Sequence, residues 1–309
     1  MKRWISFAVV GAAILAVLVY CQMRRVQVSV SPAPVLHFIA DSEQELTRLP
    51  VSFGHLSDAD EIDIGNHLAR AYLARWPQPA EEDADDLAVR GYVEKVGARV
   101  AAHAHRRLPY KFDYIPEMDF INAFALPGGH VYIGAGLIAR MDSEDELAAV
   151  LGHEIEHIDH YHCAERVETQ EALRHVPLGA LAAITVEIFE AGYSKDQELE
   201  ADREGTRLAV LAGYSPLGAI RMFETFDRLE HVRMSRAQTP QQELSGVAEQ
   251  TFEGYFRSHP PPSERIAQIK RMVREEKWMD LPAERKLAVA SIFRRFVLLP
   301  DIPGSSPMR

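Results

Sequence analysis

The residues best suited to chemistry lie in one short stretch, Gly152-His153-Glu154-Ile155-Glu156-His157. It contains the pattern H-E-x-x-H. On a helix, positions i and i+4 share a face one turn apart. Both imidazoles can then reach one tetrahedral zinc ion. Glu154 sits beside that ion, placed to take a proton from the attacking water. The competing reading is an amphipathic helix with surface histidines. A catalytic zinc also needs a third protein ligand and one open position. The stretch Lys195-Asp196-Gln197-Glu198-Leu199-Glu200-Ala201-Asp202 supplies candidates. Glu198 and Asp202 are four apart and share a face. That suits a ligand plus a carboxylate holding a ligating histidine by its other ring nitrogen. Glu200 is rotated well away and reads as solvated. A plain acidic helix face is the alternative for this group.

The elements that must position these residues are legible as patterns. Ser143 with Glu146 three residues on forms a capping box. It starts a helix with Leu147, Val150, Leu151, Ile155 and Ile158 on its buried side. Residues 195–211 form another helix, ending near Gly213. Upstream, Ser57 or Asp58 caps a helix carrying Ile62, Ile64, Leu68, Ala71 and Tyr72, an acidic break follows at 81–86, and 87–104 reads as a second helix. Residues 110–115 read as a short strand. Residues 122–133 read as two strands joined by Pro127-Gly128-Gly129. Downstream, 216–229, 263–272 and 282–298 read as helices, with a polar, irregular stretch at 233–256. Residues 176–188 read as a buried or loop-like apolar segment.

The whole chain bounds these readings. It has 309 residues, 47% hydrophobic and 26% charged, with a net charge of -11. Disordered, collagen-like and coiled-coil classes are excluded. The first 25 residues contain Lys2, Arg3, Arg24 and Arg25 and no acid, so the remainder is more acidic still. Such a body repels phosphate backbones and excludes a general nucleic-acid binder. Two cysteines, Cys21 and Cys163, exclude a disulfide-stapled scaffold and a Cys-rich zinc module. Residues 4–20 are apolar except for Ser6, flanked by basic pairs. No convincing cleavage site follows, and Val19-Tyr20 before Cys21 does not suit a lipid anchor. An uncleaved signal anchor over 1–25 fits best. Residues 26–56, with Pro32, Pro34 and Pro50, then form a linker. Residues 57–275 are the catalytic domain, and 276–309 a final helix and Pro-rich tail.

The chain resembles a family of zinc metallopeptidases. It includes the HtpX heat-shock proteases, the CAAX prenyl proteases, the BepA-like periplasmic proteases and the mitochondrial Oma-type proteases. The resemblance spans about residues 57 to 270. It rests on five ordered motifs: Asn122-Ala123-Phe124-Ala125-Leu126-Pro127-Gly128-Gly129, Glu146 through Glu154, the pair Glu198 and Asp202, Ala212-Gly213-Tyr214-Ser215-Pro216, and Ser258-His259-Pro260 through Arg265-Ile266. It implies one Zn2+ per chain, held by His153, His157 and Glu198. Glu154 becomes the general base and Asp202 the partner of a zinc histidine. His259 becomes a fourth ligand, a latency switch or an oxyanion donor; its alternative is a histidine that fixes the loop ahead of Pro260. His162 is expected to be structural. Glu156 stands where the family commonly has alanine. Neither tetratricopeptide repeats nor the extra membrane helices of HtpX are present.

The expected fold is therefore α+β and mostly helical: a zincin-like domain with a small sheet whose edge strand borders the active-site cleft. Asn122, Ala123, Phe124 and Ala125 would pair with an extended peptide there. The expected function is a membrane-tethered zinc endopeptidase acting on unfolded or misassembled polypeptides. Its anchor would lie in a bacterial inner membrane and its body in the periplasm. A latent or non-hydrolytic, chaperone-like peptide binder is the competing function.

Overall fold

The computed structural model describes residues 56–74, 83–174, 186–190, 192–236, 262–278 and 285–293. The expected anchor, most of the linker and His259 lie outside them. Among the described residues, no helix is long and apolar enough to cross a membrane.

Helix α1, Asp58–Leu73, begins where Ser57 accepts the Asp60 N–H at 3.2 Å. Helix α2, Ala84–Ala101, begins at Asp83, so the acidic break is a cap. Its Val89, Val93, Val96 and Val100 recur at helical spacing and are buried. Strands β1 (Lys111–Ile115), β2 (Ala123–Leu126) and β3 (His130–Gly134) make a sheet of order β1-β3-β2. β1 runs parallel to β3 and β2 antiparallel to it. The β2–β3 connection is a single 3-10 turn, Pro127–Gly129, in which Gly128 takes φ 77° and Gly129 φ 113°. Those left-handed values explain the glycine pair. Cross-strand partners Phe124 and Tyr132 stack at 4.9 Å, and Tyr72 of α1 meets both edge-on at 5.2 and 5.3 Å.

Short α3, Ala135–Ile138, leads to α4, Glu144–Asp159. α4 is buried on nearly every side and packs against β2, α2 and the later helices α7 (Lys195–Leu211) and α8 (Leu217–Arg236). Between α4 and α7 lie α5, His162–Arg174, and the short α6, Glu187–Glu190. α9, Pro262–Glu275, packs on α7 and α8. The last described element is α10, Ala290–Phe293.

Two expectations are corrected. α8 runs to Arg236, past the expected end at 229. The stretch 282–298 is not one helix, because its described part spends backbone groups on the start of α4. The Arg285 carbonyl accepts the Glu144 N–H at 2.9 Å, Asp145 accepts the Arg285 N–H at 2.7 Å, and Lys286 bridges to Ser143. Leu287, Val289 and Phe293 are buried in the same core. The capping box at Ser143 forms with a shift of one position: Ser143 accepts the Glu146 N–H, while Glu146 accepts the Asp142 N–H.

Candidate metal centre

Two glycines set the distance between α4 and α7. A Cβ on Gly152 would lie 2.5 Å from the Gly205 carbonyl oxygen, and one on Gly205 would lie 2.6 Å from the Gly152 carbonyl carbon. The two backbones therefore touch, and the side chains flanking that contact face each other. α7 starts at Ser194 in a full capping box with Gln197.

His153 and His157 point from α4 toward Glu198 of α7. The three Nε2 and carboxylate separations are 3.1 Å between the histidines, 3.3 Å from His153 to Glu198 and 3.7 Å from His157 to Glu198. Zinc–ligand bonds near 2.1 Å in a tetrahedron imply ligand separations of about 3.4 Å. All three residues are buried. The donor set and its spacing thus fit a zinc ion. H-E-x-x-H marked both histidines as candidates, and the family resemblance singled out Glu198 from the Glu198–Asp202 pair.

Asp202 lies where expected, with Oδ1 2.9 Å from His153 Nδ1. Nε2 is thereby left to face Glu198. Asp202 is held in turn by Arg265 of α9, through Nε at 2.7 Å and Nη2 at 2.5 Å. Arg265 is 1% exposed and lies over the Phe223 ring at 4.2 Å. Burial would raise the Asp202 carboxyl, but Arg265 and His153 bring it below the usual range. The sequence reading included Arg265 in a motif without a role. A buried arginine on α9 facing an acid of α7 is visible only once the helices pack.

Tyr193 was missed altogether. Its ring stacks on His157 at 3.9 Å, its N–H donates to Glu198 Oε1 at 3.0 Å, and its hydroxyl lies 3.1 Å from Cys163 Sγ. No sequence signal marks it, since it precedes α7 in an irregular segment. Cys163 is fully buried, and burial pushes its thiol up. His162 stands behind the site: its Nδ1 is 3.0 Å from His157 Nδ1 and its Nε2 3.4 Å from Glu200. Burial lowers His162 to about 4. Glu200 therefore contacts His162 and Arg203 rather than water alone.

Glu154 is 4% exposed. Burial pushes it up to about 7, with the Glu198 charge adding and His153 and Arg265 opposing. It lines a cavity with Val150, His153, Met222, Phe223 and Arg265. Residues of α4, α7, α8 and α9 wall that cavity. No residue of β2 lines it, although β2 is an outer strand of the sheet. Ala123, Phe124 and Ala125 are buried in β2, and Asn122 turns its Oδ1 back to the Ala123 N–H at 3.0 Å. The cavity beside Glu154 thus does not show the expected border formed by β2.

The profile of peptidase family M48 matches residues 88–273. The beta-barrel assembly-enhancing protease of Escherichia coli O157:H7 is 30% identical over 201 residues, covering 57% of this chain and 40% of that protein. The metalloprotease YcaL of Escherichia coli K12 is 26% identical, covering 70% of this chain and 80% of that protein. The mitochondrial metalloendopeptidase OMA1 of Schizosaccharomyces pombe is 33% identical over 119 residues, covering 35% of each chain. The chain spans about two-fifths of the length of the first of these relatives.

Proposed function

This chain belongs to peptidase family M48, and we propose that it is a membrane-tethered, zinc-dependent endopeptidase. The observation that carries this reading is the triangle of His153, His157 and Glu198 with separations of 3.1, 3.3 and 3.7 Å, beside the buried Glu154. The fit of that donor set to zinc supports His153, His157 and Glu198 as ligands.

A bound zinc ion would supply a Lewis acid to polarise the scissile carbonyl and acidify water. Glu154 accepts the water's proton and returns it to the leaving amine. A carboxyl raised toward neutrality suits both transfers. Asp202 fixes the His153 ring, and Arg265 fixes Asp202. Phe223 and Met222 shield the cavity beside Glu154 from water. His259 acts as a fourth ligand, latency switch or oxyanion donor. Asn122, Ala123, Phe124 and Ala125 provide main-chain pairing for an extended substrate.

The substrates are unfolded or misassembled polypeptides in envelope quality control. The name of the first relative supports that class, since it is a protease that enhances β-barrel assembly. The apolar run at residues 4–20 supports an inner-membrane anchor with a periplasmic catalytic body. The test of the ligand set is zinc content in Glu198→Ala and Glu200→Ala. The reading expects loss in the first and retention in the second; equal retention in both would remove Glu198 from the site. In His259→Ala, raised cleavage of casein would support latency, and unchanged cleavage would end that role.

A further inference from the structure

The C-terminal end of α4 carries a second group of ligand-type side chains. Glu156, Asp159 and His160 follow at i, i+3 and i+4, and one ligand atom from each lies within 4.8 Å of the others. Helical spacing brings them to one side. Glu156 is 0% exposed. Its two carboxylate oxygens are buried without a hydrogen bond of ordinary geometry, and so is His160 Nδ1. The polar group that faces Glu156 is that same His160 nitrogen, in close contact. Nearby arginines are committed elsewhere. Arg106 bonds Asp58, Glu61 and the Ile158 carbonyl. Arg203 bonds Glu204, and Arg207 bonds Glu204 and Glu276. The His160 imidazole meets one oxygen of this buried carboxylate, and Oε1 is left without a partner, which is costly for a buried charge.

We propose that Glu156, Asp159 and His160 form a second divalent-cation site, suited to zinc, at the C-terminal end of α4. The mixed carboxylate and imidazole donors match a borderline ion such as zinc. Asp159 already orders the preceding loop, accepting the His105 N–H at 2.8 Å and the Arg106 N–H at 2.6 Å. Asp159 Oδ1 accepts only the Arg106 N–H there and keeps a further lone pair for a metal. His105 Nδ1 lies 2.9 Å from Asp159 Oδ2, which places a further imidazole at the rim. The His160 side chain is 30% exposed, so the group opens to solvent through it.

An ion here would pin the end of the helix that carries His153 and His157 to the His105–Arg106 loop. The inference is independent of the peptidase reading.

The test is zinc stoichiometry of the full-length chain in mild detergent, stripped with chelator and dialysed against buffered free zinc. Elemental analysis then compares wild type with Glu156→Ala, His160→Ala and Glu198→Ala. The expected counts are two zinc ions per chain in wild type and one in each variant. Circular dichroism checks that Glu156→Ala and His160→Ala fold; if His160→Ala does not fold, Glu156→Ala decides alone. A single wild-type zinc, retained in Glu156→Ala, would leave Glu156 and His160 as an ion pair and overturn the proposal. Two zinc ions persisting in Glu156→Ala would place the second ion elsewhere and overturn it equally.

Discussion

At the scale of residues, the centre is a chain of contacts more than a set of ligands. Arg265 grips Asp202 with two bonds at 2.5 and 2.7 Å, and Asp202 reaches His153 at 2.9 Å. Outer contacts of this kind orient an imidazole and raise its basicity. Asp202→Ala is therefore expected to weaken zinc binding by about 10–100-fold, read by competition with a chromophoric chelator. Arg265→Met would leave the buried Asp202 without its cation. Breaking a buried pair from one side costs about 3–5 kcal/mol. Thermal unfolding of the zinc-free chain should show that loss, and an unchanged midpoint would mean that Arg265 only fills space. His153, Glu154, His157, Glu198 and Asp202 were legible because helical periodicity maps sequence spacing directly onto a face. Arg265 and Tyr193 were not, because each meets the site from a separate segment. Glu156 was visible as a departure from the family pattern, but its pairing with His160 needed the burial of α4 to give it meaning.

At the scale of elements, the site depends on how closely α4 and α7 approach. A methyl group at Gly205 would intrude to 2.6 Å from α4 backbone. Gly205→Ala should push the helices apart, cost about 1–3 kcal/mol in stability and reduce zinc content. Normal zinc with a normal midpoint would refute the packing argument. The start of α4 carries a pH-dependent element as well. Burial raises Glu146 to about 7, above its usual 4.5. A carboxyl raised on folding favours the folded state while protonated, so its contribution is present at low pH and is lost as pH rises through about 7. Glu146→Gln keeps the shape and remains neutral. Its unfolding midpoint should gain on wild type as pH rises across that window, and a constant difference would contradict the shift. Most elements were legible from pattern: α7 matches the expected 195–211, and β2 and β3 flank the Pro127-Gly128-Gly129 turn. The stretch 282–298 was misread because its local pattern is helical while its backbone pairs with Ser143, Glu144 and Asp145, more than a hundred residues away. Contacts at that separation leave no local trace.

At the scale of the whole molecule, membership of peptidase family M48 and the buried donor triangle converge on one activity. His153, His157 and Glu198 are buried and could hold one metal ion, so metal binding should stabilise the fold by mass action. A free zinc level 100-fold above the dissociation constant adds about 2.7 kcal/mol. Chelator should accordingly lower the unfolding midpoint. The most direct measurement is zinc-dependent cleavage of casein by the purified chain, compared between wild type and Glu154→Gln with zinc content determined in both. The account predicts cleavage in the wild type that chelator abolishes, and a loss of about 100-fold or more in Glu154→Gln with zinc retained. Full cleavage by Glu154→Gln, or a wild-type chain that binds no zinc, would contradict it.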